Sequence, residues 1–312
     1  MINELTGMLK HKRPAYSKQD EIFIEQYIEP VKVFDDDAGN LIKVIGDNPE
    51  VMWSCHTYTV DMTSGYQEVM VKGQYIGVND KNSNCLGADD TAGVWLMLEL
   101  IRSGKEGLYV FHRAEEVGGR GSSFIARQTP DLLKNIKCVI ALDRKGTRDV
   151  ITHQGTRCCS DVFAQSLADA LDMKFKLSEK GLFTDSANYT DIVGECTNLS
   201  VGYENAHSDK EILDMAFLQN MRTKLIALDY SKLVYDRKAG DIDPEDHWYN
   251  AKTSYSVLYD SSGNYDDTMY KPTTLLDFTY EYPEVVAKVL KDYGISVDQM
   301  REEVFNETNE LV

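Results

Sequence analysis

Short apolar runs alternate with stretches of helical spacing over most of this chain. Val51–Cys55, Leu108–His112, Cys138–Leu142 and Thr197–Val201 are brief and mostly rich in Val, Ile and Leu, which predicts short strands buried on both faces. Helical patterns cover about Asp90–Ser103, Gly121–Arg127, Asp161–Leu171 and Asp209–Leu233. In the first of these, Val94, Leu96, Met97 and Leu100 fall near one another at helical spacing, and Gly104 stands where a C-cap belongs. Strands alternating with helices predict βα units around a largely parallel sheet, an α/β fold. Glu68–Lys72 places Val69 and Val71 on one face and is followed, after Gly73, by Gln74–Val78, the pattern of a hairpin at a sheet edge.

The texture changes after Lys238. The stretch AGDIDPEDHWYNAKTSYSVLYDSSGNYDD is rich in Asp, Gly, Ser and Tyr and reads as loops with one short strand. Two helices are expected further on, over Pro283–Tyr293 and then after Ser296, a residue suited to an N-cap. The chain therefore divides into a core over 1–238 and an acidic extension over 239–312.

Charge sharpens this division. The 312 residues carry 33 Lys and Arg against 51 Asp and Glu, a net charge of −18. Such a balance argues against a nucleic-acid partner, whose binding needs clustered positive charge. From Gly240 onward there are 16 acidic and 5 basic residues, which read as a solvated, solubilising surface. No apolar run approaches the ~18 residues of a membrane span, so no membrane partner is expected. The opening MINELTGMLKHKRPAYSKQDE lacks the apolar stretch of a signal peptide. Cys55, Cys85, Cys138, Cys158, Cys159 and Cys196 form no CxxC pair and read as reduced, mostly buried thiols. Together these features predict a cytoplasmic protein.

Candidate chemistry gathers just past the C-terminal ends of the predicted strands, where open α/β sheets hold their ligands. His56 follows the first strand. Gly87–Ala88 leads to Asp89 and Asp90 at a helix start. Glu115–Glu116 comes after the second strand, Asp143 after the third, and His207 after the fourth. Taken singly these residues are uninformative; as a set they mix imidazole with carboxylate, which suits Zn²⁺, with Mn²⁺ or Co²⁺ as alternatives. Five ligands exceed the needs of one tetrahedral ion and suit two ions about 3.5–4 Å apart with a bridging carboxylate. A spare carboxylate beside a ligand, Glu115 next to Glu116, is where a general base is needed.

The ordered blocks Ser54-Cys-His-Thr-Tyr-Thr-Val60, Leu86-Gly-Ala-Asp-Asp-Thr-Ala-Gly93, Ala114-Glu-Glu-Val-Gly-Gly119, Leu142-Asp143 and Ala206-His-Ser208 resemble the co-catalytic di-zinc exopeptidases, which include the zinc aminopeptidases, peptidase T and the aminoacylase-type peptidases. The resemblance spans roughly residues 50–235. It implies a three-layer αβα sandwich with a mostly parallel mixed sheet, two bound zinc ions, and hydrolysis of an amide bond at a peptide terminus or in a small N-acyl compound. It further implies that Asp89 bridges the ions, that His56 and Asp143 complete one site and Glu116 and His207 the other, and that Glu115 is the base. Asp185, in the segment Gly181–Tyr189, resembles a residue that receives a substrate's amino terminus; a helix N-cap is the competing reading. Arg157 and Tyr203 stand where they could meet a substrate carboxylate or the developing oxyanion.

Two departures matter. The family carries an aspartate two residues after the first histidine, buttressing it, and this chain has Tyr58 there. Loss of such a partner typically lowers metal affinity or activity ~10–100-fold, which leaves open a weakened or inactive binding protein as the alternative. The interval from Asp143 to His207 is also too short for the lid domain that many relatives insert, so a compact, lidless form is expected.

Overall fold

The computed structural model describes residues 2–113, 115, 116 and 118–241, all within one compact unit, Met1–His247. Of the predicted acidic extension, 239–312, only 239–241 are described, and its two expected helices lie outside the described residues.

Eight strands form the main sheet. In chain order they are β1 (Phe34–Asp35), β2 (Leu41–Ile45), β3 (Val51–His56), β4 (Gly107–His112), β5 (Cys138–Arg144), β6 (Asp149–Ile151), β7 (Lys176–Ser178) and β8 (Glu195–Ser200), and across the sheet they run β7-β6-β8-β5-β3-β4-β2-β1. The four central strands β8, β5, β3 and β4 are parallel. Beyond them β6 and β2 pair antiparallel to β8 and β4, giving the expected mixed, mostly parallel sheet.

Strand alternation splits the core into two layers. Val51, Trp53 and Cys55 of β3, Tyr109 and Phe111 of β4, and Ile140 and Leu142 of β5 pack on one face with helices α1 (Ile2–Met8), α2 (Lys18–Phe23), α3 (Ala88–Arg102), α5 (Asp161–Leu171) and α6 (Met215–Ala227). Met52, Leu108, Val110 and Val139 point the other way, onto Ile125 of α4 (Arg120–Gln128) and Tyr189 of the 3-10 turn Asp185–Tyr189. Burial of each such aliphatic side chain is worth about 1.5–3 kcal/mol. The layers are thus helix, sheet, helix. Helix α3 departs from the predicted one-sided stripe, because every residue from Ala88 to Ile101 is buried; it is a central core helix rather than a surface one.

One local expectation is met and one corrected. The hairpin Val69–Lys72/Tyr75–Val78 forms as read, at the edge of a second, four-stranded sheet. The helix expected over Asp209–Leu233 begins only at Met215, because Ile212–Asp214 pairs with Tyr75–Gly77 as a strand of that second sheet. Asp214 then caps α6 by accepting from Ala216 N and Phe217 N, a signal already present in the sequence.

Between Asp143 and His207 the chain builds β6–β8, α5, the small hairpin His153–Gln154/Thr156–Arg157, the strand Tyr203–Glu204 of the second sheet and short turns. No inserted lid interrupts it. All six cysteines are free and buried, and among the described residues no helix is long and apolar enough to cross a membrane.

Candidate metal centre

His56 closes β3 and His112 closes β4 at matching register, so the sheet's C-terminal edge sets where the site begins. The His56 Nδ1 atom lies 3.0 Å from the main-chain oxygen of Tyr58. A carbonyl only accepts, so Nδ1 carries a proton and Nε2 is the nitrogen that faces the cleft, where a cation would take the place of its proton. That Nε2 stands 3.2 Å from Asp89 Oδ1, 3.6 Å from Asp143 Oδ1 and 4.0 Å from Glu115 Oε2.

Asp89 reaches the centre through a local break in helical geometry. Gly87 adopts a left-handed backbone (φ 71°), and Asp89 (ψ 102°) and Asp90 (ψ 43°) are non-helical before α3 settles into regular turns. Buried Asp90 secures the break by accepting from Gly93 N (2.9 Å) and His56 N (3.3 Å). Gly93 is required for contact: a Cβ there would stand 2.2 Å from the carbonyl oxygen of Leu142, the residue before Asp143. The second oxygen of Asp89, Oδ2, lies 3.2 Å from His207 Nε2, which is 3.0 Å from Glu116 Oε1.

Two triads therefore share Asp89. His56, Asp89 and Asp143 form one, and Asp89, Glu116 and His207 the other; each brings one donor atom per residue within 4.8 Å of the rest. His56, Glu115 and Glu116 make a third grouping. Ligand atoms ~2.0–2.2 Å from a common tetrahedral ion are about 3.3–3.6 Å apart, close to the 3.2 and 3.6 Å from His56 to its partners. The residues present fit a divalent cation in each triad.

Electrostatics agree with an anionic cradle. His207 is raised to about 10 by its hydrogen bonds to Asp89 and Glu116. For His56, burial pulls downward, but the Asp143 charge and the bonds to Asp143 and Asp89 prevail and hold its pKa well above normal. Burial, reinforced by the Asp89 charge, raises Asp143 to about 6. Glu115 is pushed up to about 9, first by burial and then by the neighbouring charges of Asp143, Asp185 and Glu116.

Asp143 is gripped on every side. Thr184 donates to its Oδ2 at 2.6 Å, and Tyr203 OH lies 3.3 Å from Oδ1. Asn198 exchanges two hydrogen bonds with its backbone, at 3.0 Å each. No motif in the sequence marks Thr184 or Asn198 as a partner of Asp143, although Thr184 lies within Gly181–Tyr189. A cleft of about 250 Å³ opens beside these groups, lined among others by Arg144, Lys145, Leu182, Phe183, Thr184 and Tyr203.

The remaining expected residues fall differently. Asp185 is 1% exposed, accepts from Ser122 at 2.5 Å and faces His112 Nδ1 at 3.4 Å. This burial does not fit a receiver of substrate amine, and Thr184, which precedes Asp185, makes no side-chain cap bond to the turn. Arg157 pairs with Asp161 at 2.8 Å and is not among the residues that line the cleft. The Tyr58 ring is fully buried; its hydroxyl accepts from Arg113 at 2.8 and 3.0 Å, away from His56.

Comparison with known proteins gives the same frame. Residues 62–223 match the family model of the M42 glutamyl aminopeptidases, a span that contains Asp89, Glu115, Glu116, Asp143 and His207 and begins just after His56. No curated protein matches the chain in sequence. Among solved structures, the aminopeptidase PepT of Bacillus cereus superposes with a TM-score of 0.60 at 15% identity, over 73% of this chain and 96% of the other. A tripeptidase of Staphylococcus aureus gives 0.60 at 13% identity, over 74% and 97%. The TET1 peptidase of Pyrococcus horikoshii, which assembles into a tetrahedron or an octahedral shell, gives 0.57 at 15% identity, over 73% and 99%.

Proposed function

The chain belongs to the M42 glutamyl aminopeptidase family, and from that premise we propose that it is a two-metal aminopeptidase acting on peptides with a free amino terminus. The observation that carries this reading is Asp89, whose two oxygens face different imidazoles, His56 and His207, each 3.2 Å away. In this reading His56 and Asp143 hold one cation, Glu116 and His207 the other, and Asp89 both, with zinc favoured by the mixed donor set. A bound pair of such ions supplies Lewis-acid polarisation of the scissile carbonyl and acidification of water.

The protein's own groups do the proton work. Glu115 is nearly buried and its carboxylate is strongly basic for its type. It takes a proton from the attacking water as the new C–O bond forms, then delivers that proton to the amine nitrogen as the C–N bond breaks. Thr184, Asn198 and Tyr203 hold Asp143 in place during this step. Leu182 and Phe183, 76% and 48% exposed, offer an apolar wall to a substrate side chain, and Lys145 adds positive charge at the same cleft.

The alternative of an inactive metal-binding protein rested on Tyr58. Because the Tyr58 carbonyl accepts the His56 Nδ1 proton, the imidazole keeps its orientation without an aspartate, and the active reading is preferred. A panel of zinc-loaded assays tests the substrate class: aminoacyl peptides should be cleaved and their N-acetylated forms left intact. Preferential cleavage of the acylated forms would overturn the aminopeptidase assignment in favour of an aminoacylase-type activity.

A further inference from the structure

Glu211 is 1% exposed, and among the described residues no Lys, Arg or His forms an ion pair with it. Leaving a carboxylate in such a place is costly unless N–H groups hold it. Three do. Oε2 accepts from Leu86 N at 2.7 Å and Gly87 N at 2.8 Å, and Oε1 accepts from Asp89 N at 3.0 Å. These amides precede or open α3, which has no side-chain cap of its own, so Glu211 satisfies donors that a helix start leaves unpaired.

The position of Glu211 along the chain gives this clamp its meaning. It lies four residues after His207, in a tight turn closed by Glu211 N to Ser208 O at 3.0 Å, and runs directly into the strand Ile212–Asp214. One short segment thus carries His207 and grips the backbone of Asp89. His56 and Asp143 stand on adjacent strands of the main sheet, whereas the His207 side chain is about half exposed on a loop.

We propose that Glu211 is the positioning residue of the outer cation site: it locks the Asp89 loop to the His207 loop so that Asp89, Glu116 and His207 act as one preformed triad. The proposal rests on the two-metal reading above. Glu211→Gln keeps the shape but turns an amide donor toward the backbone amides, while Glu211→Asp keeps both acceptors on a shorter arm.

Two measurements on the full chain decide it. In the metal-free protein, amide exchange at Leu86, Gly87 and Asp89 should speed up by about tenfold or more in Glu211→Gln while the β3 amides stay protected. In zinc titrations against a competing chelator, the weaker of two equivalents should lose ~10–100-fold in affinity and the tighter one much less, with partial recovery in Glu211→Asp. Unchanged exchange and affinity would overturn the proposal. So would equal weakening of both equivalents, or loss of protection throughout the sheet, since either makes Glu211 a general folding residue. A wild-type chain that binds no zinc would instead sink the two-metal reading, and the exchange result would still decide whether the clamp exists.

Discussion

His56 donates from Nδ1 to the main-chain carbonyl of Tyr58, 3.0 Å away, and this bond fills the place in which sequence reasoning looked for an aspartate. The Tyr58 side chain is engaged elsewhere, its hydroxyl with Arg113 and its ring edge-on to Tyr16. The identity of residue 58 is therefore decoupled from the orientation of the imidazole. Tyr58→Phe should bind zinc within about threefold of wild type, and Tyr58→Asp should gain neither affinity nor rate, as read by chelator competition and steady-state kinetics. A gain of ~10–100-fold in Tyr58→Asp, the size of effect expected of a missing buttress, would contradict this.

Metal loading should release protons. In the metal-free protein His207 is raised to about 10 by Asp89 and Glu116, so near neutral pH a cation must displace its proton. Because the raised pKa favours the protonated form up to that value, affinity should climb as pH rises from about 6 to about 9. Calorimetric titration in two buffers of different ionisation enthalpy counts the protons. A buffer-independent heat with flat affinity would refute the assignment.

Gly93→Ala should destabilise the chain, since a Cβ there meets the Leu142 carbonyl oxygen at 2.2 Å and the Asp90 carboxylate at 2.5 Å. Overpacking of this kind costs about 1–3 kcal/mol or more. Urea unfolding of the metal-free variant should show a lower midpoint with an unchanged slope; a midpoint equal to wild type would mean that α3 is not held so tightly against β5.

The sequence made legible whatever is local. Continuous apolar runs marked β3, β4, β5 and β8, and residues just past or at their ends marked His56, Glu115, Glu116, Asp143 and His207, because strand ends and their loops are fixed by short-range pattern. What it hid is what the fold brings from far away. Glu211 meets Leu86 across 125 residues, Asn198 meets Asp143 across 55 and Thr184 meets it across 41. A buried Arg13 donates to the Thr57 carbonyl and to Thr91, tying the N-terminal segment behind the site, with no motif to announce it. Asp185 is read from the resemblance of its segment, Gly181–Tyr189, and tertiary packing, which no local pattern shows, sets its side chain beside His112 in the interior.

The central claim is that Glu115 is the proton carrier of a two-metal aminopeptidase, and its most direct test is kcat for an aminoacyl peptide measured on wild type and Glu115→Gln, each carrying zinc at its own measured stoichiometry. Glu115 makes the longest contact to His56 of the carboxylates around it, 4.0 Å, so its neutral isostere should keep about two zinc equivalents. The expected result is a fall in kcat of about 10²–10⁴-fold at that unchanged metal content. Equal turnover by the two proteins would contradict it.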